Sequence, residues 1–133
     1  MKEYVVFDTN ILVSYLLTSN ENSPIRRVVR KIFEGSIIPV YRDAILSEYR
    51  DVLCRAKFHF PVVQVLTLLN SIQYNGLHVM PEAQDMNVLD PDDQCFYDTA
   101  KTAKAQWLIT ENKKHFPDES FIVTAAEYLA SQK

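Results

Sequence analysis

Short apolar runs alternate with amphipathic segments along this chain of 133 residues. The first run, Tyr4-Val5-Val6-Phe7, has no polar alternation and ends at Asp8, which predicts a strand that is covered on both faces. Pro39 lies inside the second run and suggests a strand at the edge of the sheet or the end of a strand. This second run covers residues 36–40, and three later runs predict further strands at 77–80, 106–110 and 121–123. Strands that alternate with helices predict an α/β sandwich with a mainly parallel sheet.

Helix start and stop signals delimit the segments between these strands. Ser23 can cap a helix whose first residue is Pro24, and Gly35 ends it. Asn75-Gly76 stops a later helix, whose apolar residues between Val62 and Ile72 fit either core packing or a partner surface. Other helices are predicted at 11–17, 43–54, 91 to about 105, and after Thr124, with an irregular polar segment at 81–89.

The composition fits one compact domain covering residues 1–133, because 47% of the residues are apolar and 11% are aromatic. The net charge of -3 does not indicate a general nucleic-acid binder, although a local basic face can still bind one. No stretch is apolar and long enough to cross a bilayer, and no signal-peptide pattern is present, so we expect a cytoplasmic protein without membrane contact. Cys54 and Cys95 lack metal-ligand spacing and are expected to be buried, reduced thiols.

Two acidic segments stand where parallel sheets bind ligands. Asp8 follows the first strand, and such sheets bind ligands beyond the carboxyl ends of their strands. Asp8-Thr9-Asn10 is also compatible with simple helix capping. Asp90-Pro91-Asp92-Asp93 opens a predicted helix, with Asp90 as its cap and Pro91 as its first residue. Neighbouring carboxylates repel one another unless a cation neutralises them, so this segment is either fully solvated or a metal site.

Other oxygen ligands complete the pattern. Glu48 lies at the border of the apolar stripe of its helix, where it can point partly inward. The fourth strand ends at Thr110, with Asn112 two residues later. Carboxylate, hydroxyl and amide oxygens without cysteine or histidine suit Mg²⁺ or Mn²⁺ better than zinc. Such a metal can generate hydroxide and stabilise the leaving oxygen in phosphodiester cleavage.

One basic cluster stands on the polar face of the second helix. It consists of Arg26, Arg27, Arg30 and Lys31. A solvated helix face explains this cluster simply, but it is also the best candidate in the chain for contact with a phosphate backbone. No serine, histidine and acid arrangement is visible, so covalent catalysis is not expected. A phosphatase that uses Asp8 as nucleophile is disfavoured because its usual second aspartate is replaced by Asn10.

These motifs together resemble the PIN-domain family over essentially the whole chain, and within it the toxins of toxin–antitoxin systems. Each motif is short, but their order and spacing are specific. The matching pieces are the strand ending in Asp8-Thr9-Asn10, the helix acid Glu48, Asp90-Pro91-Asp92-Asp93 with Phe96 and Ala100, Leu108-Ile109-Thr110-Glu111-Asn112, and Lys114-His115-Phe116.

The resemblance implies a Rossmann-like three-layer α/β/α fold, bound Mg²⁺ or Mn²⁺, and ribonuclease activity on single-stranded RNA. Asp8, Glu48 and Asp93 fall on the acidic positions of the family, with Asp92 competing for the third position. When the positions are counted back from Thr110, the third acidic position can also fall on Gln94. Many family members carry an aspartate where this chain has Asn112, and a neutral ligand would weaken metal binding or leave one metal.

We therefore expect metal-assisted hydrolysis of RNA, with Asp8, Asp93 and Asp92 as metal ligands and Glu48 either as a ligand or as the residue that orients water. The alternative is a PIN-like module that binds RNA or protein with little or no cleavage. RNA is the expected partner, and an antitoxin protein and a second copy of the chain are further candidates. Supporting or substrate-positioning residues are Thr9, Asn10, Thr110 and Asn112, and candidates for the RNA backbone are Arg26, Arg30, Lys113 and Lys114.

Overall fold

The computed structural model describes residues 2–80 and 91–132, together with the side chains of 2–80 and 93–132. Five strands and six α-helices make up this described part. The strands are β1 (Glu3–Phe7), β2 (Ile37–Tyr41), β3 (Leu77–His78), β4 (Trp107–Ile109) and β5 (Ile122–Val123). The helices are α1 (Thr9–Leu17), α2 (Pro24–Glu34), α3 (Asp43–Leu53), α4 (Val62–Asn75), α5 (Pro91–Ala103) and α6 (Ala125–Ser131). Single 3₁₀ turns lie at Ala56–Phe58 and Lys113–His115.

The sheet is parallel throughout, in the order β3-β2-β1-β4-β5. The chain moves outward from β1 through β2 to β3 and then returns to the other side of β1 with β4. The strand order therefore reverses between β1 and β4, where Phe7 pairs with Ile109. Parallel α/β sheets bind ligands at such a switch point. The arrangement confirms the predicted three-layer α/β/α sandwich with a parallel, PIN-like sheet.

Helices cover the sheet because its central strands are apolar on both faces. Val5 and Val6 of β1 and Leu108 of β4 are completely buried. Helix α5 packs against β1, β2 and β4, and it also contacts α3. This packing places α5 against β1 and β4, the strands that Asp8 and Thr110 follow.

The signals that delimit α2 and α6 act as the sequence predicts. The Ser23 hydroxyl accepts a hydrogen bond from the backbone N–H of Arg26 at 3.2 Å, and Gly35 ends α2 at a φ of 76°. Thr124 and Glu127 cap α6 reciprocally, each side chain accepting from the backbone N–H of the other. Local hydrogen bonds and backbone conformation therefore determine where these helices begin and end.

Pro39 corrects one expectation about the sheet. Its strand, β2, is not an edge strand, because it lies between β1 and β3. Pairing with β3 begins only at Val40, so no β3 partner needs the N–H that Pro39 lacks. Gly76, just before β3, lies so close to Pro39 that an added Cβ would be 2.5 Å from the Pro39 carbonyl oxygen. Only glycine fits this approach.

Two element boundaries and the exposure of one side chain differ from what the sequence predicts. Helix α5 ends at Ala103 rather than near residue 105, because Lys104 adopts a left-handed φ of 53°. The strand expected at 77–80 is limited to Leu77 and His78. Cys54 is exposed at the end of α3 and Cys95 is partly buried, so burial was wrongly predicted for Cys54. Cys54 and Cys95 do not form a disulfide bond.

Helix α4 divides its apolar residues between the core and the surface. Val65, Leu68, Leu69 and Ile72 are buried. Val62 is 69% exposed and Leu66 is 50% exposed, so core packing does not account for them. Among the described residues no helix is both long and apolar enough to cross a membrane. The predicted Asp90 cap and the irregular segment at 81–89 lie outside the described residues.

Candidate functional site

Asp8 lies at the switch point, between the end of β1 and the start of α1. Its backbone N–H donates to the Ile109 carbonyl oxygen at 3.0 Å, which continues the pairing of β1 with β4. The Thr110 hydroxyl donates to the Asp8 carboxylate at 2.7 Å, and the Asn112 N–H donates to the same hydroxyl at 3.0 Å. Asp8 is only 7% exposed, and its side chain makes no helix-capping hydrogen bond. The Asp8 carboxylate is therefore held by Thr110, with the N–H groups of Thr9 and Asn10 nearby.

Burial raises the pKa of the Asp8 carboxyl group above its ordinary value. The Thr110 hydrogen bond, the nearby N–H groups of Thr9 and Asn10, and the His115 imidazole each lower the pKa, but together they do not offset burial. Within the described residues, no Lys, Arg or His side chain lies within ion-pair distance of this carboxylate. A cation at this position would compensate the buried charge.

Glu48 approaches the same region from α3. Thr9, buried at the start of α1, donates its hydroxyl to a Glu48 carboxylate oxygen over a long distance of 3.4 Å. The neighbouring Tyr49 is buried and donates its hydroxyl to the Phe7 carbonyl oxygen at 2.6 Å. Burial, together with the negative charges of Asp8 and Glu48, raises the pKa of Tyr49 well above its ordinary value. Tyr49 therefore stays protonated and acts as a donor.

Helix α5 brings Asp93 to the site. Its carboxylate lies 3.8 Å from the Nδ1 of His115, and His115 also acts electrostatically on Asp8. His115 thus connects the two carboxylates. Gln94, which the sequence register admitted at the acidic position, is buried and donates to the Asp98 carboxylate at 2.7 Å. Asp93, rather than Gln94, faces the histidine beside the switch point.

Sequence reasoning gave no role to three residues at or near this site: Tyr49, Asp98 and His115. Tyr49 matches the apolar spacing of α3, so its contact with the β1 carbonyl could not be distinguished from ordinary core packing. His115 stands 22 residues after Asp93 in the sequence, and only the short turn after β4 brings them together. The spacing of Gln94 and Asp98, one helical turn apart, was a usable signal for a paired polar contact inside α5.

The oxygen donors around Asp8 suit a hard cation such as Mg²⁺ or Mn²⁺ in their chemistry. The buried and uncompensated carboxylate of Asp8 also fits such a cation. In residues 2–80 and 93–132, however, no three Asp, Glu, His or Cys side chains lie close enough together to hold a metal. Asp92 lies in the first turn of α5, and its side chain is outside this described part.

The four basic residues expected at the RNA backbone have different surroundings. Arg26 is partly buried and donates to the carbonyl oxygens of Tyr15 and Thr18 at 2.9 and 3.1 Å. It also pairs with Glu21, as does the more exposed Arg30. These contacts hold the Arg26 guanidinium at the turn between α1 and α2, and its contact with an RNA backbone stays a prediction. Lys113 pairs with Glu127 at 3.0 Å, and Lys114 is exposed beside it.

Asn10 and Asn112 flank the carboxylate differently. Asn10 is exposed in the first turn of α1, whereas Asn112 is partly buried after β4. The hydrogen bond that Asn112 makes to Thr110 uses its backbone N–H, so the Asn112 side-chain amide is not required for that contact. The position therefore accepts another side chain of similar size without loss of the contact to Thr110.

Comparison with known proteins gives one result. A family model described as PIN domain matches residues 4–114, a range that contains every candidate ligand from Asp8 to Asn112. No curated protein and no solved structure matches the chain significantly. Members of this family are generally nucleases that hydrolyse phosphodiesters, act on RNA and typically use divalent metal ions. The matched range covers most of the sequence and supports a nuclease function, and the chain belongs to the PIN-domain family.

Proposed function

We propose that this protein is a metal-dependent endoribonuclease that cleaves single-stranded RNA. The observation that carries the proposal is the buried Asp8 carboxylate at the switch point, fixed by Thr110 and without a basic partner in the described part of the chain. A carboxylate in such surroundings is costly unless a cation or a proton neutralises it. Retention of an acid here is consistent with binding of a divalent cation.

In this proposal Asp8 and Asp93 hold Mg²⁺ or Mn²⁺, with Asp92 as a further ligand. Glu48 binds the same ion or orients the attacking water. When bound, the metal would supply a hydroxide near neutral pH and charge stabilisation at the leaving oxygen. Thr110 fixes the rotamer of Asp8, and Asn112 stands beside Thr110 as a neutral oxygen donor.

The remaining residues position the acids and the RNA. His115 lies 3.8 Å from Asp93 and also acts electrostatically on Asp8, so a positive charge on its ring would reduce the repulsion between the two acids. Thr9 keeps Glu48 directed toward the end of β1. Lys114 is exposed and makes no ion pair within the described part of the chain, whereas Lys113 is paired with Glu127. Contact with RNA phosphates by such a residue would depend on salt.

The test is cleavage of an end-labelled, mixed-sequence single-stranded RNA in Mn²⁺, in Mg²⁺ and in EDTA. We expect internal cleavage that requires the metal and that falls by at least about a hundredfold in Asp8→Asn, since a metal ligand is removed. Glu34→Gln is the matched control, because Glu34 is an exposed carboxylate at the end of α2. Equal loss of cleavage in the control, or cleavage that persists in EDTA, would contradict the proposal.

A second candidate function is an RNA-binding or protein-binding module with little catalysis. Two points favour it: by the family resemblance, many members carry an aspartate where this chain has Asn112, and no three-residue ligand cluster occurs among the described side chains. RNA that binds the native protein but remains intact in Mn²⁺ and Mg²⁺ would favour this function. Cleavage that is lost in a folded Asp8→Asn variant would exclude it.

The resemblance to toxins of toxin–antitoxin systems supports a narrower proposal, in which the nuclease arrests growth until an antitoxin protein binds it. Induced expression in a bacterial culture tests this proposal directly. We expect growth arrest with the native chain and normal growth with Asp8→Asn at equal protein level. Normal growth with both, together with cleavage in vitro, would exclude the toxin role and leave the nuclease.

A further inference from the structure

A cleft of about 470 Å³ opens between α3 and the second turn of α5. Its volume lies within the range of about 300 to 1,000 Å³ that is typical of small-ligand sites. Apolar groups from Ala44, Ile45, Cys95 and Phe96 line the cleft, and Ser47 and Asp51 contribute polar atoms. A surface of this mixed kind suits a nucleobase, which has apolar faces and polar edges.

The cleft adjoins the candidate active site through a shared residue. Glu48 lines the cleft and also accepts the hydrogen bond from Thr9, the residue after Asp8. Cys95 lines the cleft two residues after Asp93 on the same helix. An RNA strand that passes the Asp8 carboxylate can therefore continue along α3 into this cleft.

Arg42 lies at the rim of the cleft, between β2 and α3. It is partly buried, yet its guanidinium makes no salt bridge or hydrogen bond with any residue of the described part. Arg26, Arg30 and Arg55, by contrast, each contact an acid of the chain. An arginine without such a partner beside a group of carboxylates presents five donors to an anion, and phosphate is the anion whose geometry these donors match.

We propose that this cleft binds the nucleotide of single-stranded RNA that neighbours the bond to be cleaved. Arg42 binds the phosphate of that nucleotide, and the base lies against the apolar floor formed around Ala44 and Cys95. This inference rests on the proposed nuclease function for its position relative to cleavage. Arg42 thereby becomes a substrate-binding residue that sequence motifs did not indicate.

The two cysteines, which form no disulfide bond, allow a test that does not depend on cleavage. Cys95 lies in the cleft, whereas Cys54 is exposed at the end of α3 and does not line it. The native protein is alkylated with N-ethylmaleimide in EDTA, with and without a twelve-nucleotide single-stranded RNA, and each site is followed by mass spectrometry. We expect RNA to slow alkylation of Cys95 at least about fivefold, with little change at Cys54. No protection of Cys95, or equal protection of both thiols, would overturn the proposal.

Arg42→Gln tests the phosphate contact in the same buffer. We expect RNA affinity, measured by fluorescence anisotropy, to fall about tenfold, because a charge-assisted hydrogen bond is lost. The slope of log affinity against log salt should become shallower by about 0.7, the value for one phosphate contact on a single strand. Arg50→Gln is the control, since Arg50 is exposed on α3 and does not line this cleft. Equal losses in the two variants, or none in Arg42→Gln, would overturn the role of Arg42.

Failure of this inference can be distinguished from failure of the proposed nuclease function. Cleavage in Mn²⁺ without protection of Cys95 would reject the cleft and retain the nuclease. Protection of Cys95 without any cleavage in Mn²⁺ or Mg²⁺ would retain RNA binding in the cleft and reject the nuclease.

Discussion

The Thr110 hydroxyl and the Asp8 carboxylate are joined by a 2.7 Å hydrogen bond, although 102 residues separate them in the sequence. Thr110 follows β4 and Asp8 follows β1, so the bond crosses the point where the strand order reverses. It fixes the orientation of a buried carboxylate and lowers the pKa of that carboxylate against the effect of burial. The hydrogen bond therefore favours the ionised form of an acid whose burial disfavours it.

Loss of the Thr110 hydroxyl should shift metal binding to higher pH. The hydrogen bond lowers the pKa of Asp8, so Thr110→Val raises this pKa further, and a carboxylate must lose its proton to bind a cation. Mn²⁺ affinity measured between pH 5 and 8 is expected to decline at a higher pH in the variant than in the native protein. Thr110→Ser keeps the hydroxyl and should match the native profile. Superimposable profiles for Thr110→Val and native protein would contradict this account.

Removal of the Asp8 charge should stabilise the metal-free fold. Because burial raises the pKa of Asp8 in the folded state, folding binds protons, and the stability contribution of this group falls as pH rises through the folded pKa. In EDTA at pH 7, Asp8→Asn is expected to unfold at a higher temperature than the native protein. The difference should shrink as the pH falls through the raised pKa of the folded protein, and it should be smallest below the pKa of the unfolded acid, about 3.9. A native protein that is more stable than the variant at pH 7 would contradict the prediction.

Tyr49 should be a stabilising residue rather than a catalytic one. Tyr49→Phe removes the 2.6 Å hydrogen bond to the Phe7 carbonyl oxygen and leaves that buried acceptor without its partner. We expect the free energy of unfolding in urea to fall by about 1–3 kcal/mol. The cleavage rate of the folded variant should change by less than about threefold. A loss of cleavage with unchanged stability would assign Tyr49 a direct role in the reaction.

The two glycines of the chain should differ in their tolerance of alanine. In Gly76→Ala the new Cβ would lie 2.2 Å from the Ile72 carbonyl oxygen and 2.5 Å from that of Pro39, so the backbone must move. This crowding should cost about 3 kcal/mol. Gly35→Ala meets only the end of the Lys2 side chain at 4.0 Å, and its cost of about 1–2 kcal/mol comes from the left-handed φ of 76°. Urea unfolding of both variants checks the order, and the reverse order would contradict the packing at β3.

Asn112→Asp should strengthen metal binding. The change places a carboxylate beside Asp8 and leaves the contact to Thr110 intact, because the backbone N–H of Asn112 makes it. Mn²⁺ affinity is expected to rise about tenfold, whereas Asn112→Ala should bind at most as tightly as the native protein. Unchanged affinity in Asn112→Asp would place residue 112 outside the metal site.

The parallel sheet was predictable because each buried strand is a short apolar run with a polar residue at its carboxyl end. Asp8 and Thr110 both follow such runs, and their meeting follows from the topology alone. The interior position of β2 was not predictable from Pro39, because it depends on where β3 begins to pair. The contacts of Tyr49 and His115 also depend on tertiary packing: Tyr49 has the spacing of an ordinary core residue, and the motif around His115 does not show that its ring lies near Asp93.

Calorimetric titration of Mn²⁺ into the native protein, Asp8→Asn and Glu34→Gln, with RNA cleavage followed in the same samples, tests the central claim most directly. We predict saturable binding and internal cleavage with the native protein and Glu34→Gln, and loss of both in a folded Asp8→Asn. If the native protein binds no Mn²⁺ at millimolar concentration and the RNA remains intact, the buried acid at the switch point does not form a nuclease site.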